Sequence, residues 1–303
     1  MSERTQRLGI ATRPCSVAAL VEELALLLVN GQFGPREAEL EAREIVAALY
    51  DVPRFWPVAN AHVTVEAEMW PRARAAAAKR ARGAPLAYAV GHASFRHLTL
   101  DVDERVLIPR PETELLVELV LEHARAGADL VVDVGTGSGA IALALASEGA
   151  FTEVRGTDVS LDALAVASAN AELLRARGVL RARVSFAHGS LLAPLQARAE
   201  RATIVVSNPP YIAYDESRAL PRGVRDWEPP LALFSGGNGL DLSARLVRDA
   251  ADALVEGGLL ALEVDARRAS LVAECVARDT RYRDVGVHLD LTGRERFVLA
   301  VRR

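Results

Sequence analysis

Between residues 16 and 82 the apolar positions recur every three or four residues, a period that reads as helix. Ser16 can cap a helix over "VAALVEELALLLVN" that stops at Asn30-Gly31, and Pro35 opens a second over "REAELEAREIVAALY". A third, "TVEAEMWPRARAAAAKRAR", is expected from Thr64 to just before Gly83, with a kink at Pro71. From Ala84 to Arg110 the period drops to two, and "FRHLTLDVDERVLI" predicts a β-hairpin with its polar turn at Asp103-Glu104, a bridge between two domains. Beyond it, helices and short apolar strands alternate. A helix is expected from Glu112 to Arg125, then strand "LVVDV", helix "AIALALASEG", strand "VRGTDV", a helix over 161–177, and strands "RVSFA" and "TIVVS". After Asn208-Pro209-Pro210-Tyr211 come a loop, a helix over 240–255, strand "LLALEV", a helix over 266–279 and strands near 284–289 and 296–301. This alternation predicts an α/β domain with a mostly parallel sheet covered by helices on both faces. No helix separates the last two strands, so the final one is expected to run antiparallel.

Composition adds limits to this outline. A chain of 303 residues that is 50% hydrophobic can bury one large core and a smaller satellite. No apolar run reaches the roughly 18 residues that cross a bilayer, and "MSERTQRLGIATRPC" lacks an apolar stretch of signal-peptide length. A soluble, cytoplasmic protein is expected, with a flexible N-terminus over residues 1–15. Cys15 and Cys275 are the only cysteines, and the six His show no His-x-x-x-His pair, so neither a disulfide framework nor a metal is expected. Lys and Arg total 36 against 40 Asp and Glu, for a net charge of −4, and Lys79 is the only lysine. A protein that grips nucleic-acid phosphates normally carries a basic excess or stripe, so direct nucleic-acid binding is not expected. The run "RARAAAAKRAR" reads as a solvated helix face.

The segment "VVDVGTGSGAIALALA" places Asp133, Gly135, Thr136, Gly137, Ser138 and Gly139 at the turn from the first strand of the α/β domain into its helix. Glycines there let backbone approach a ligand, and the helix start offers unpaired N–H groups. The next strand ends in Asp158, placed to accept both hydroxyls of a ribose. Gly135 to Ala140 also satisfies the dinucleotide fingerprint, so an NAD enzyme fits the loop as well, as does a simple tight turn. Asp133 tips the balance: a carboxylate in the loop would repel a pyrophosphate but suits the ammonium of S-adenosylmethionine.

The strand ending at Ser207 is the fourth of the domain, so Asn208 to Tyr211 should face the same crevice as the glycine loop. The chemistry this pattern fits is methylation of a planar NH2 group. Its lone pair is delocalised, so the nitrogen attacks well only when its N–H bonds are held by acceptors. Asn208 Oδ1 and the Pro209 carbonyl can be those acceptors, the two prolines stiffen the segment, and Tyr211 can offer a ring face. Two prolines can also simply end a strand. A DNA adenine methyltransferase would use the same Asn-Pro-Pro-Tyr logic but needs a basic region to hold a duplex. A non-catalytic scaffold would not need an intact pocket.

Taken together, "SNPPYI", "DVGTGSGAIALALA", "VLIPRPETELLVE" and "WEPPLAL" resemble the protein-(glutamine-N5) methyltransferases of the HemK/PrmC type over nearly the whole chain. The resemblance implies a class I S-adenosylmethionine-dependent methyltransferase: Rossmann-like, with a mostly parallel seven-stranded sheet, a small N-terminal helical domain and a linking β-hairpin. It divides the chain into a helical substrate-recognition domain over 16–83, a hairpin linker over 84–110 and a catalytic domain over 111–303. The implied substrate is the glutamine of the Gly-Gly-Gln loop of peptide chain release factors, with a ribosomal-protein glutamine as the nearest alternative. Carried over by residue, the resemblance implies that Gly135 to Gly139 bind the methionine part of the cofactor and Asp158 its ribose, with Ser190 near the adenine and Leu191 as an apolar wall beside it. Asn208, Pro209, Pro210 and Tyr211 hold the glutamine amide, and Arg110 and Glu112 line the same pocket. Ser190 stands where the family usually has Asp, so weaker cofactor binding is expected. His92 and Asp265 replace a usual acidic residue and a usual Gly.

Overall fold

A computed structural model describes residues 16–124 and 129–303. The expected flexible N-terminus, Cys15 and the Arg125 end of one helix lie outside them. The chain divides after Val90 into two compact units.

The first unit is helical: Val17–Val29, Pro35–Leu49, Met69–Ala81 and Leu86–Val90, with one short turn at Trp56–Ala59. Ser16 Oγ accepts from the Ala19 N–H at 3.3 Å, which caps the first helix as its position predicts. The third helix starts at Met69 instead of Thr64, because Thr64 pairs in a bridge with Ser16. Pro71 falls in its first turn, where a missing N–H breaks no intrahelical bond, so the proline does not interrupt the helix. Leu20, Leu24, Leu28, Ile45, Ala73 and Ala77 fill the core. Arg80, from the expected solvated run, is instead partly buried: it holds Glu41 through two bonds of 2.8 and 2.9 Å and lies over the Phe33 ring.

The second unit opens with a hairpin of β1 (His92–Phe95) and β2 (Leu98–Asp101). Its turn is at Arg96-His97, not at Asp103-Glu104. Arg96 takes a left-handed φ of +51°, an unusual choice for that position, and its contacts supply the reason. The Arg96 N–H donates to Glu114 Oε1 at 3.0 Å. Its guanidinium reaches the Glu114 carbonyl at 3.1 Å, Glu118 at 2.7 Å and both Glu148 oxygens at 2.5 Å. Phe95, Leu98 and Leu100 lie in the second unit's core, so the hairpin is built into that unit. Arg96→Ala should therefore lower stability by about 3 kcal/mol, since it leaves carboxylates without their cation. The shift should appear in the denaturation midpoint at unchanged m; a loss within 0.5 kcal/mol, roughly that of an ordinary surface change, would contradict it.

The sheet comprises β3 (Leu130–Val134), β4 (Glu153–Asp158), β5 (Arg183–His188), β6 (Ala202–Ser207), β7 (Leu254–Glu263), β8 (Tyr282–Leu289) and β9 (Glu295–Arg302). Their order is β5-β4-β3-β6-β7-β9-β8, parallel except for β9, which runs antiparallel to both neighbours. Alternate residues feed two cores. Val131, Val154, Ile204, Val206 and Phe297 pack with helices Pro111–His123, Ala140–Glu148 and Leu161–Ala176; Val132, Val205, Leu260 and Val298 pack with Asp241–Ala253 and Ala269–Arg278. From β3 the chain winds outward to β5 and then returns to place β6 on the other side of β3. That reversal opens a crevice at the carboxyl ends of β3 and β6, the place where open α/β sheets hold ligands.

Candidate active site

The glycine loop begins where β3 ends. Gly135 and Gly137 have φ of +72° and +55°, and a Cβ built on either meets nothing within 4 Å, so space stands open over the loop. Gly139 serves a different end: its Cβ would touch Leu143 and Ala167, so it allows close helix packing. The loop is fixed from below by Gly135 and Thr136 N–H groups on the Thr157 carbonyl at 2.8 and 3.0 Å. The buried Asn170 donates to the Ser138 carbonyl at 2.9 Å.

Asp133, expected beside the cofactor's ammonium, is not among the residues that line the cavity. The period of two along β3 turns its side chain under the helix Ala140–Glu148, on the Val131 face and away from the cavity. Its Oδ2 accepts from the Thr136 hydroxyl at 2.6 Å and the Ala142 N–H at 3.1 Å, while Oδ1 is buried without a partner. Burial pushes its pKa up to about 7. Asp133 staples the loop to the helix start.

Asp158, at the end of β4, borders the cavity above the loop. Its Oδ2 accepts from Gly137 N–H at 3.0 Å and its Oδ1 from Ser160 N–H at 2.9 Å. Ser190 and Leu191 form the next wall; Leu191 has φ of +51°, and its carbonyl accepts from Thr157 Oγ1 at 3.0 Å. Leu231, Ala232 and Leu242 add apolar surface, and Arg105, Val106 and Leu107 close the cavity from the segment after the hairpin. A paired diol-sized acceptor, an apolar slot and a cradle over two glycines fit a nucleoside joined to an amino acid.

Asn208, Pro209 and Pro210 line the far end of the cavity. Asn208 Nδ2 donates to Thr113 Oγ1 at 3.1 Å, and no hydrogen bond reaches its Oδ1 from the described residues. Thr113 Oγ1 donates to Glu263 Oε2 at 2.6 Å. Arg296 Nη2 donates to Glu263 Oε1 at 3.3 Å and to the Tyr211 hydroxyl at 2.9 Å, and the guanidinium lies 5.3 Å from the Tyr211 ring centre. Tyr211 is thus next to the cavity, outside its lining. Burial, with the Glu263 charge adding to it, pushes its phenol pKa up to about 12.

Eight expected residues meet in one cavity: Gly135, Gly137, Asp158, Ser190, Leu191, Asn208, Pro209 and Pro210. Thr136, Ser138 and Gly139 belong to the loop but are not among the residues lining the cavity. Arg110 and Glu112 do not join the cavity as expected. Arg110 donates to the buried Glu228 of "WEPPLAL" at 2.6 Å, and Glu112 borders a separate hollow with Glu118 and Leu291. Pro111 starts a helix there, and each residue turns about 100° from the last, so Thr113 and not Glu112 is aimed at Asn208. Asp265, expected as Gly, accepts from the Arg267 N–H at 3.0 Å and pairs with Arg268. Thr113, Glu263 and Arg296 escaped the sequence reading; a Glu closing the apolar run "LLALE" was the available signal.

A seven-stranded sheet with its last strand inserted antiparallel, a glycine loop after its first strand and an acid after its second define a class I S-adenosylmethionine-dependent methyltransferase. Residues 31–91 match the PrmC N-terminal domain and residues 111–220 the Methyltransferase small domain. The release factor glutamine methyltransferase of Gloeobacter violaceus is 44% identical over 216 residues, 71% of this chain and 73% of that protein. That of Moorella thermoacetica is 43% identical over 226 residues, 74% and 77% of the two chains. That of Lactococcus lactis is 37% identical over 214 residues, 71% and 76%. The chain belongs to the release factor glutamine methyltransferase family. Among solved structures, the hMettl16 catalytic domain in complex with a MAT2A 3'UTR hairpin is 17% identical, covers 75% of this chain and 81% of its own, and has a TM-score of 0.52. That likeness concerns the fold alone.

Proposed function

We propose that this chain methylates the side-chain amide nitrogen of a glutamine in a peptide chain release factor, that of the Gly-Gly-Gln loop. The observation that carries this reading is Asn208: its amide is anchored through Nδ2 to Thr113, no described residue bonds its Oδ1, and the residue lines one cavity with Gly135, Gly137 and Asp158. Bound S-adenosylmethionine would supply an electrophilic methyl group. Gly135 and Gly137 would take its amino-acid part, Asp158 its ribose, and Ser190 and Leu191 its adenine. Asn208 Oδ1 and the Pro209 carbonyl would accept the two N–H bonds of the glutamine amide and fix the nitrogen's direction. Both acceptors gain strength as the nitrogen becomes positive, so they favour the transition state over the ground state. No strong base is needed, since the proton can leave after the methyl has moved.

The helical unit and hairpin would present the protein substrate. Release factors act in the cytoplasm, the compartment this reading requires; among the described residues no helix is long and apolar enough to cross a membrane. The test is transfer of labelled methyl from S-adenosylmethionine to purified release factor, ribosomal proteins and DNA in parallel. Label on the release-factor glutamine is expected; label confined to ribosomal protein or DNA would overturn the assignment.

Cofactor choice can be checked separately. S-adenosylmethionine at 100 times its Kd should stabilise the folded chain by about 2.7 kcal/mol, seen as a raised Tm, while NAD should leave Tm unchanged. Stabilisation by NAD alone would reverse the choice.

A further inference from the structure

We infer that Thr113 and Glu263 are positioning residues that set which end of the Asn208 amide faces the substrate. The inference rests on the reading of Asn208 as the holder of the glutamine amide. The two ends of an Asn side chain have nearly the same shape and opposite chemistry. With Oδ1 toward the cavity, Asn208 accepts from the substrate NH2; turned over, it would present its own NH2 to another NH2. Only its partners can decide between the two.

Thr113 Oγ1 lies 3.1 Å from Asn208 Nδ2 and 2.6 Å from Glu263 Oε2. A hydroxyl has one proton to donate. An ionised carboxylate has none, so Thr113 must give its proton to Glu263 and can only accept from Asn208. That makes the Asn208 NH2 the group facing Thr113 and turns Oδ1 the other way. Glu263 has no exposed surface, and Arg296, which has donors only, bonds its other oxygen. Burial, the largest influence, raises the Glu263 pKa above the usual carboxylate value, with the Glu112 charge adding to it, and the Thr113 bond and the Arg296 charge oppose that rise. With the Arg296 guanidinium bonded to Glu263 Oε1 and Glu263 ionised, every bond in the run Asn208 to Thr113 to Glu263 has one direction. The three residues come from separate places: the end of β6, the first turn of helix Pro111–His123 and the end of β7.

The test uses the full chain with purified release factor, comparing Thr113→Val, Thr113→Ser and Glu263→Gln in wild-type and Asn208→Ala backgrounds. Thr113→Val should lower kcat about tenfold, the scale of one hydrogen bond to a charged network, with KM for S-adenosylmethionine unchanged. Thr113→Ser keeps the hydroxyl and should restore kcat to within about twofold of wild type. Glu263→Gln can donate as well as accept, so it should also lower kcat. In the Asn208→Ala background, Thr113→Val should cost nothing further, because the group it positions is gone. An equal loss in both backgrounds, or a Thr113→Ser variant as slow as Thr113→Val, would overturn the inference while leaving the methyltransferase reading intact. If Asn208→Ala itself turned over normally, the reading of Asn208 would fall first.

Discussion

Replacing Asn208 with Ala is expected to cut turnover by roughly 10²- to 10³-fold, the usual loss when one preorganised polar group aimed at a developing charge is removed. Cofactor affinity should change only a few-fold, because Gly135, Gly137, Asp158, Ser190 and Leu191 still line their part of the cavity. The two effects separate in one pair of measurements: methyl transfer at saturating S-adenosylmethionine, and calorimetric titration with the same ligand. Asn208→Asp refines the result, since it retains an acceptor but loses the Nδ2 donor and adds a negative charge. Thr113 has a single proton, already directed at Glu263, so an aspartate there would face an oxygen without a hydrogen bond. Asn208→Asp should therefore be slow despite keeping its acceptor. Near-normal turnover in Asn208→Ala would remove this residue from the mechanism.

At the other end of the cavity, Asp158→Ala should weaken S-adenosylmethionine binding about 100-fold. Two charge-assisted hydrogen bonds to a ribose contribute about 3 kcal/mol together after desolvation is counted, and each 1.4 kcal/mol is tenfold in Kd. The free protein also loses an acceptor for the Gly137 and Ser160 N–H groups, which loosens the loop. With saturating cofactor, kcat should recover to within a few-fold, the reverse of the Asn208→Ala pattern. Asp158→Asn keeps the shape and one acceptor, so it should fall between the two. Titration calorimetry decides the matter; a loss of affinity below threefold would take the ribose away from Asp158.

The central parallel strands β3 and β6 were legible because they are buried on both faces and read as short apolar runs, "LVVDV" ending before Gly135 and "TIVVS" ending in Ser207. "LVVDV" is strand from 130 to 134 in the sequence and in the structure. The hairpin turn was not. Asp103-Glu104 has the composition of a turn, whereas the real turn residue, Arg96, takes its conformation from Glu114, Glu118 and Glu148, contacts that no local pattern encodes. The direction of the Asp133 side chain was likewise not legible: only the helix packed above β3, whose Ala142 N–H bonds it, shows which way it turns. Thr113, Glu263 and Arg296 lie in three unconnected segments, and each looks ordinary where it stands. Tertiary packing alone joins them to Asn208 and Tyr211.

The place of β9 between β7 and β8 bears on how the molecule is made. Strands leave the ribosome in chain order, and β8 emerges with no neighbour to pair with: β7 and β8 are separated in the finished sheet by a strand that has yet to appear. Until β9 arrives, β7 presents an open edge and β8 is detached, an arrangement prone to pairing with other chains. Arg296, which bonds both Glu263 and Tyr211, lies on that same late strand. A nascent chain can therefore form its glycine loop and carry Asn208 well before Arg296 arrives, and the step that closes the sheet is also the step that joins Arg296 to Glu263 and Tyr211.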